Sequence, residues 1–388
     1  MTKRILLLGA RGPATLALCR LLGKEGHAVS VFDSVHPAIA FSSKYVQKTF
    51  VGPAPCVNVV KFAEYLSEII VQHAIDLVVP TCEEIFYFSK IKPYLPKQCR
   101  YFCDAFSKLE KLHNKYVFSQ LTETFQIRAP HTILIQDADD LSKISLNNYV
   151  LKPSFSRFGE ETVLHPSEKD KSRVLNTLDK KWIAQKRVDG EELCAFAISQ
   201  DGRLISCVVY HPKYRYKTGA GVFFERKQCF EINQFCSEIV RELNFTGQIS
   251  FDFIRSYCGE IYVLECNPRL TSGIHLFSEK ARLSAAYVDS TNSSFIEPDG
   301  PNASIKLVML LTFGKQARCV GLKKTILDFW LSKDIICETK DFFPTIYQLY
   351  CLVFMSLKAL LRGESIEKTS TSDIEWNGDA IELVNYKN

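Results

Sequence analysis

The stretch "ISFDFIRSYCGEIYVLECNPRLTSG", residues 249–273, runs two apolar strands back to back, with a turn near Ser256 to Gly259, yet it sets Asp252, Glu265, Asn267 and Arg269 among them. Asp252 stands between Phe251 and Phe253, and Glu265 between Leu264 and Cys266, so neither acid belongs to a solvated charge run. Carboxylates in apolar surroundings are costly unless a positive group meets them. Glu265 and Asn267 are two residues apart on one strand and so share a face, with Asp252 on the other strand of the hairpin. Two carboxylates and an amide make an oxygen set suited to a hard cation that keeps waters and bridges phosphate oxygens, as Mg²⁺ does on a nucleotide. Pro268 stops the strand. Arg269 follows at the rim, where a guanidinium can hold a transferring phosphoryl group or a carboxylate. The plainer alternative is a surface hairpin with an acidic edge.

Upstream, "HTILI", "NYVLKPS", "KWIAQKRVDG" and "EELCAFAISQDGRLISCVVYH" read as strands, with hairpins at Asp201-Gly202 and near Gly259. Before them, "KRILLLGARGPATLALCRLLGKEGHAVSVFDS" reads as strand, glycine turn, helix and strand, and "FAEYLSEIIVQHAIDLVVPTCEE" repeats the helix–strand theme. An open parallel sheet through about residue 105 is therefore expected, followed by a mostly antiparallel unit. Asp33 ends the second strand where a ribose-binding acid would sit in a dinucleotide fold. Gly9 and Gly12 do not complete G-x-G-x-x-G, however, and Pro13 has an ordinary place at a helix start, so no nicotinamide or flavin cofactor is predicted.

The remainder, from about Asn302, is read as an apolar strand "SIKLVMLLTF", helices around 322–332 and 345–361, and a final "DIEWNGDAIEL". Linker candidates are residues 289–302 and 363–372. Residues 342–361 are about long enough to span a bilayer, but Pro344, Gln348 and Lys358 interrupt them, so a core or interface helix is expected and no membrane contact.

The chain has 388 residues, 46% hydrophobic and 23% charged, with a net charge of +5, which fits an ordinary folded protein of two or three domains. The small, scattered charge gives no support to nucleic-acid binding. Its 14 cysteines show no CxxC spacing, the closest pair being Cys99 and Cys103. This argues against structural zinc and for free thiols in a reducing cytoplasm. The opening "MTKRILLLGARG" is too short an apolar run for a signal peptide and reads as a first strand.

In their order and spacing, "YVLKPSFSRFGEETV", "IAQKRVDGEEL" and "FDFI…YVLECNPRLTSG" resemble the ATP-grasp superfamily, carbamoyl-phosphate-synthase-like and carboxylate–amine ligase members above all. The resemblance covers residues 1 to about 285. It implies an α/β and α+β architecture: a Rossmann-like pre-ATP-grasp domain (1–108), an ATP-grasp fold (109–288) and a small α+β C-terminal segment (302–388). Lys152 and Lys115 resemble the lysines that contact nucleotide phosphates, although Asn114 stands where Asp is more usual. Ser154, Ser156 and Gly159 resemble the loop that closes over the phosphates. Gln185, Lys186 and Val188 match the hinge around adenine, and Glu192 the acid that receives the ribose hydroxyls. Asp252, Glu265 and Asn267 match metal ligands for Mg²⁺, or Mn²⁺ in its place. Arg269 matches the catalytic arginine, with Lys152 assisting.

The implied activity is ATP-dependent amide formation between a small-molecule carboxylate and an amine through an acyl phosphate, in the cytoplasm; a homodimer is compatible. The alternatives are a carbamoyl-phosphate-synthase-like kinase of carbamate or bicarbonate, and an ATP-binding module without turnover. For substrate contact, His211, Lys213, Arg215 and Lys217 alternate along "YHPKYRYK" and would form a basic stripe. Glu83 or Glu84 is a candidate to receive the amine and His275 a candidate to touch the acceptor, against a plain packing role. Glu191 reads as a charge at a hairpin edge.

Overall fold

The computed structural model describes residues 2–157, 159, 161–215, 221–289 and 294–383. The first unit contains β1 (Arg4–Leu8), α1 (Pro13–Lys24), β2 (Ala28–Asp33), β3 (Val46–Val51), α2 (Val59–Gln72), β4 (Leu77–Val79), α3 (Ile85–Ile91) and β5 (Arg100–Tyr101). Its five strands are all parallel in the order β3-β2-β1-β4-β5. Ile5 to Leu8 are buried on both faces: Leu6 and Leu8 join a core with Phe62 and Leu66, Ile5 and Leu7 a second with Leu16 and Leu22. An unbroken apolar run is what a strand covered on both sides requires.

The second unit opens with α4 (Phe106–His113) and α5 (Lys115–Leu121) and continues through β6 (Thr132–Leu134), α6 (Ala138–Ser142), β7 (Tyr149–Pro153), α7 (Glu168–Leu175) and β8 (Trp182–Lys186). It then adds β9 (Gly190–Gln200), β10 (Arg203–Arg215), β11 (Gly221–Lys227), α8 (Phe230–Glu242), β12 (Gly247–Ser256) and β13 (Ile261–Asn267). Strands β6, β8 and β7 form a small antiparallel sheet, with β8 in the middle. Period-two alternation divides their side chains: Leu151, Trp182 and Ala184 fill the small sheet's own core, while Lys152 and Gln185 lie on its other face. The larger sheet has the order β13-β12-β9-β10-β11 and is extended beyond β11 by two short strands, Ala303–Ser304 and Lys333–Asp334. Asp201 (φ 47°) and Gly202 (φ 72°) make the tight β9–β10 turn, as the sequence predicts.

Beyond α9 (Ala285–Val288), the third segment comprises β14 (Ala303–Ser304), α10 (Lys306–Leu311), α11 (Phe313–Val320), α12 (Leu322–Leu331), β15 (Lys333–Asp334), α13 (Phe343–Arg362) and α14 (Ile366–Thr371). Two expectations are corrected here. "SIKLVMLLTF" is not a strand: only Ala303–Ser304 pairs with β11, and the chain then turns helical. Met309 alone of α10 is buried, against Val222 and Phe223; a short apolar run cannot be assigned by periodicity. Residues 363–372 are no linker, because Ser365 caps α14 and Thr369 and Thr371 are buried. Of the two places expected for α13, core or interface, the core is not the one taken, since only Pro344 and Ala359 along it are buried.

The segment is nonetheless fastened to the first unit. Arg20 of α1 donates to Asp341 at 2.8 Å and to the carbonyl of Ile336 at 2.8 Å. Arg11 donates to Asp33 at 3.0 Å, to Asp373 at 2.6 Å and to the carbonyl of Ser370 at 2.8 Å. Asp33 is thus taken by an arginine, which agrees with the absence of a dinucleotide motif.

Candidate active site

The cleft between α5, the small sheet and the β12–β13 hairpin gathers Lys115, Lys152, Asp252, Glu265 and Asn267. Asp252 is the cross-strand partner of Glu265, with Ser250 opposite Asn267, so the three side chains share a face. Asn267 Nδ2 lies 3.4 Å from Asp252 Oδ2 and 3.5 Å from Glu265 Oε1. A register shift follows Asp252: the pairing steps from Glu265 to Val263, leaving Leu264 as an extra residue. This bulge lets Val263 and Cys266 both enter the core while Glu265 and Asn267 face the cleft. Phe251 and Phe253 point into that core on either side of Asp252.

Across the cleft, Lys152 Nζ donates to Gln185 Oε1 at 2.9 Å and approaches the carbonyl of the bulged Leu264 at 3.5 Å. Lys115 Nζ lies 3.4 Å from Glu265 Oε2 and donates to the carbonyl of Ser156 at 2.6 Å. Asn114 has a structural part to play: its Oδ1 accepts from the backbone N–H groups of Tyr116 and Val117, capping α5 and placing Lys115 at the helix start. Ser154 Oγ donates to the carbonyl of Lys181 at 2.5 Å, and Gly159 adopts φ +66° with open space around it.

The electrostatics are those of a crowded charged cleft. Burial and the neighbouring Glu265 push the Asp252 carboxyl up. Burial alone would raise Glu265 too, but the ammonium groups of Lys115 and Lys152 hold it below the usual carboxylate range. Burial lowers Lys152 to about 8, with Glu265 opposing and Lys115 assisting. Two adjacent acids of which one resists ionisation form a donor set that a divalent cation would relieve, and its hard oxygen character fits Mg²⁺.

Arg269 donates through Nε to Glu83 at 2.7 Å and through Nη2 to Asn267 Oδ1 at 3.4 Å, which ties the predicted catalytic arginine to the carboxylate–amide set. Glu83 is also 3.2 Å from Arg157. Against the upward pull of burial, these two guanidinium groups hold Glu83 at about 2. It therefore anchors arginines and is not a free acceptor for an amine. Glu84 accepts from the N–H groups of Thr81 and Cys82 at 2.9 and 3.0 Å, and burial pushes it up to about 7.

Arg157 escaped the sequence reading. It lies in the serine–glycine loop, 3% exposed, and its partners come from α3's approach and the C-terminal segment, at 3.8 Å from Glu375. No local spacing signals such pairing.

The other predicted residues have different surroundings. Gln185 bridges Lys152 and Thr132 through its amide, so its side chain serves the lysine. Lys186 is exposed, and Val188 is half-buried. Glu192 pairs with Arg215, and its carbonyl accepts from His211 Nδ1–H at 2.7 Å. With Lys213, these residues and Lys315 and Gln316 of α11 line a cleft of about 390 Å³. Lys213 pairs with Asp328 at 2.5 Å. Lys217 lies outside the described residues. His275 stacks on Phe224 at 5.9 Å and burial lowers it to about 3, the packing role. Glu191 faces Arg255 at 3.8 Å on the hairpin edge.

Residues 112–273 match the family model of the ATP-grasp domain. No curated protein matches the chain in sequence. Among solved structures it is similar to N5-carboxyaminoimidazole synthetase from Staphylococcus aureus (TM-score 0.60, 12% identity, covering 81% of this chain and 85% of that one). The L-amino acid ligase from Bacillus licheniformis gives a TM-score of 0.57 at 14% identity, with 76% and 78% covered. The biotin carboxylase domain of 2-oxoglutarate carboxylase from Hydrogenobacter thermophilus, solved with MgADP, ADP and bicarbonate, gives 0.59 at 13%, with 76% and 72% covered. At these identities the likeness is one of fold.

Proposed function

We propose that the protein is a cytoplasmic, ATP-dependent carboxylate–amine ligase that uses Mg²⁺. The observation that carries this reading is the meeting of Lys115, Lys152, Asp252, Glu265 and Asn267 in one cleft between two sheets. In the proposed reaction a substrate carboxylate oxygen attacks the γ-phosphorus, the bond to the β,γ-bridging oxygen breaks and ADP leaves. The amine then attacks the acyl carbonyl, phosphate departs and the nitrogen loses its proton. Asp252, Glu265 and Asn267 would hold the metal, which would supply positive charge to offset that of the phosphates. Lys115 and Lys152 would meet the phosphate charge, and Arg269, braced by Glu83, the attacking carboxylate or the transferring group. Glu192 would receive the ribose, and Gln185, Lys186 and Val188 would surround the adenine. Ser154, Ser156 and Gly159 would cover the phosphates and exclude water.

The test is ADP release over a matrix of carboxylates and amines with Mg²⁺. Release that requires both substrates supports the ligase. Release with bicarbonate or carbamate alone supports the kinase alternative, and nucleotide binding without any release supports a module lacking turnover.

Lys152 provides a pH signature for the same reading. Its ammonium is lost above about pH 8 in the free protein, and an adjoining phosphate would restore it. Nucleotide binding without Mg²⁺, so that Asp252 gives up no proton to a metal, is therefore expected to take up close to one proton at pH 9 and little at pH 7. Calorimetry in buffers of different ionisation enthalpy measures this, and Lys152→Met should abolish the uptake. Equal proton counts at both pH values would remove Lys152 from the phosphate site.

A further inference from the structure

Helix α13 turns its apolar residues outward. Every exposed residue from Phe342 to Leu361 is apolar or aromatic, and Phe343, Ile346, Tyr350, Val353, Leu357 and Leu360 recur in steps of three and four along one stripe. Among the described residues it is the one helix long and apolar enough to cross a bilayer. Helix α12 repeats the feature with exposed Leu322, Ile326, Trp330 and Leu331. An apolar surface of this extent marks a binding face.

The charges around it have one sign. Between Lys306 and Arg362 there are nine basic and four acidic residues, an excess equal to the +5 of the whole chain. Exposed charges here are basic, among them Lys315, Arg318, Lys323, Lys324, Lys340 and Arg362, and no Asp or Glu of the segment is exposed. The acids are turned inward: Asp328 to Lys213 and Tyr214, Glu338 to Lys24, Asp341 to Arg20.

We infer that the segment Lys306–Arg362 docks the protein on an anionic lipid bilayer, with α13 lying in the plane of the interface. Two copies joined through this face would bring like charges together with no exposed acid of the segment to pair them. A bilayer with acidic headgroups supplies both an apolar layer and the opposite charge. Trp330 and Tyr350 are the aromatic types that settle at headgroup depth, and Phe342 and Phe343 add to the apolar face. The helix lies along the surface because its inner edge is seated on the Ile39–Ser42 turn and on α14, with Pro344 and Ala359 buried near its two ends. The sequence expectation of no membrane contact rested on Pro344, Gln348 and Lys358. Pro344 is buried and Gln348 and Lys358 are half-buried, so none of the three interrupts the outer face.

Co-sedimentation with phosphatidylcholine vesicles, with and without phosphatidylserine, tests the inference. Binding is expected to the acidic vesicles and to be on the order of tenfold weaker on the neutral ones and at high salt. Val353→Glu with Leu357→Glu should lower partitioning by roughly tenfold or more while the melting curve is retained. Lys323→Glu with Lys324→Glu should weaken the preference for acidic lipid. The inference is overturned if the unmodified protein stays in solution with both vesicles or binds them equally. It is also overturned if sedimentation equilibrium shows a dimer that the Val353/Leu357 variant splits, since a second copy would then cover the face.

Discussion

Glu265→Gln is expected to leave the fold standing and to reduce ATP-dependent turnover by roughly 100-fold or more, the scale of losing a group that acts on developing charge. The amide keeps the shape of the side chain but removes the charge that faces Lys115 at 3.4 Å. Two ammonium groups would then share one carboxylate, that of Asp252. Asp252, freed of its like-charged neighbour, would ionise more readily, so the cleft would keep a single negative charge. The Glu265 side chain is 26% exposed, so screening limits the folding cost to about 2 kcal/mol or less.

The acid limb of the stability curve gives a second readout. Glu265 titrates below the ordinary carboxylate range in the folded chain, so it stabilises the fold above that range and the contribution is lost as pH falls through the lowered value. The variant should lose less stability on acidification than the parent. Denaturant melts at several pH values and an ADP-release assay check the two effects separately. Undiminished turnover in Glu265→Gln would remove this carboxylate from the metal set.

How far the sequence carried the reading depends on the range of the interactions involved. Period-two patterning around Phe251, Asp252 and Phe253 is local, and it placed the acid opposite the core correctly. The glycine turn and the Ile5–Leu8 run likewise announce a buried parallel strand. That Lys152 is a buried cation could be read from an apolar strand leading straight into a loop through Pro153. What stayed hidden depends on contacts distant in sequence. Glu83 looked free for an amine, yet Arg157 and Arg269 approach it from 74 and 186 residues away. The 306–311 run carries too few positions to separate helix from strand. For helix α13 the expectation of a core or interface helix left the choice open, and only the tertiary structure shows which side is left uncovered.

Trp376→Ala is expected to destabilise the protein by about 3–5 kcal/mol, the range for truncating a buried aromatic side chain. Trp376 is 2% exposed and packs on Phe86, Phe106 and Phe155 at 5.1, 5.2 and 5.1 Å between ring centroids, with its Nε1 donating to the carbonyl of Asp379. These rings belong to three different places: α3, α4 and the loop that begins at Ser154. The tail next to it is fixed as well. Tyr87 donates to the carbonyl of Glu375 at 2.8 Å, and Gly378, at φ +92°, lies so near Phe155 that an added Cβ would come within 2.6 Å of its ring. The residue thus joins the C-terminal segment to the loop that carries Ser156 and Arg157, and its loss should loosen that loop. Nucleotide affinity should fall together with stability, measured by calorimetry under conditions where the variant is still folded. Trp330→Ala is the control, because that side chain is 73% exposed and should change stability by no more than about 0.5 kcal/mol. A Trp376 variant as stable as the Trp330 one would mean that the C-terminal tail is not docked against the loop, and the bracing of Arg157 by Glu375 would fall with it.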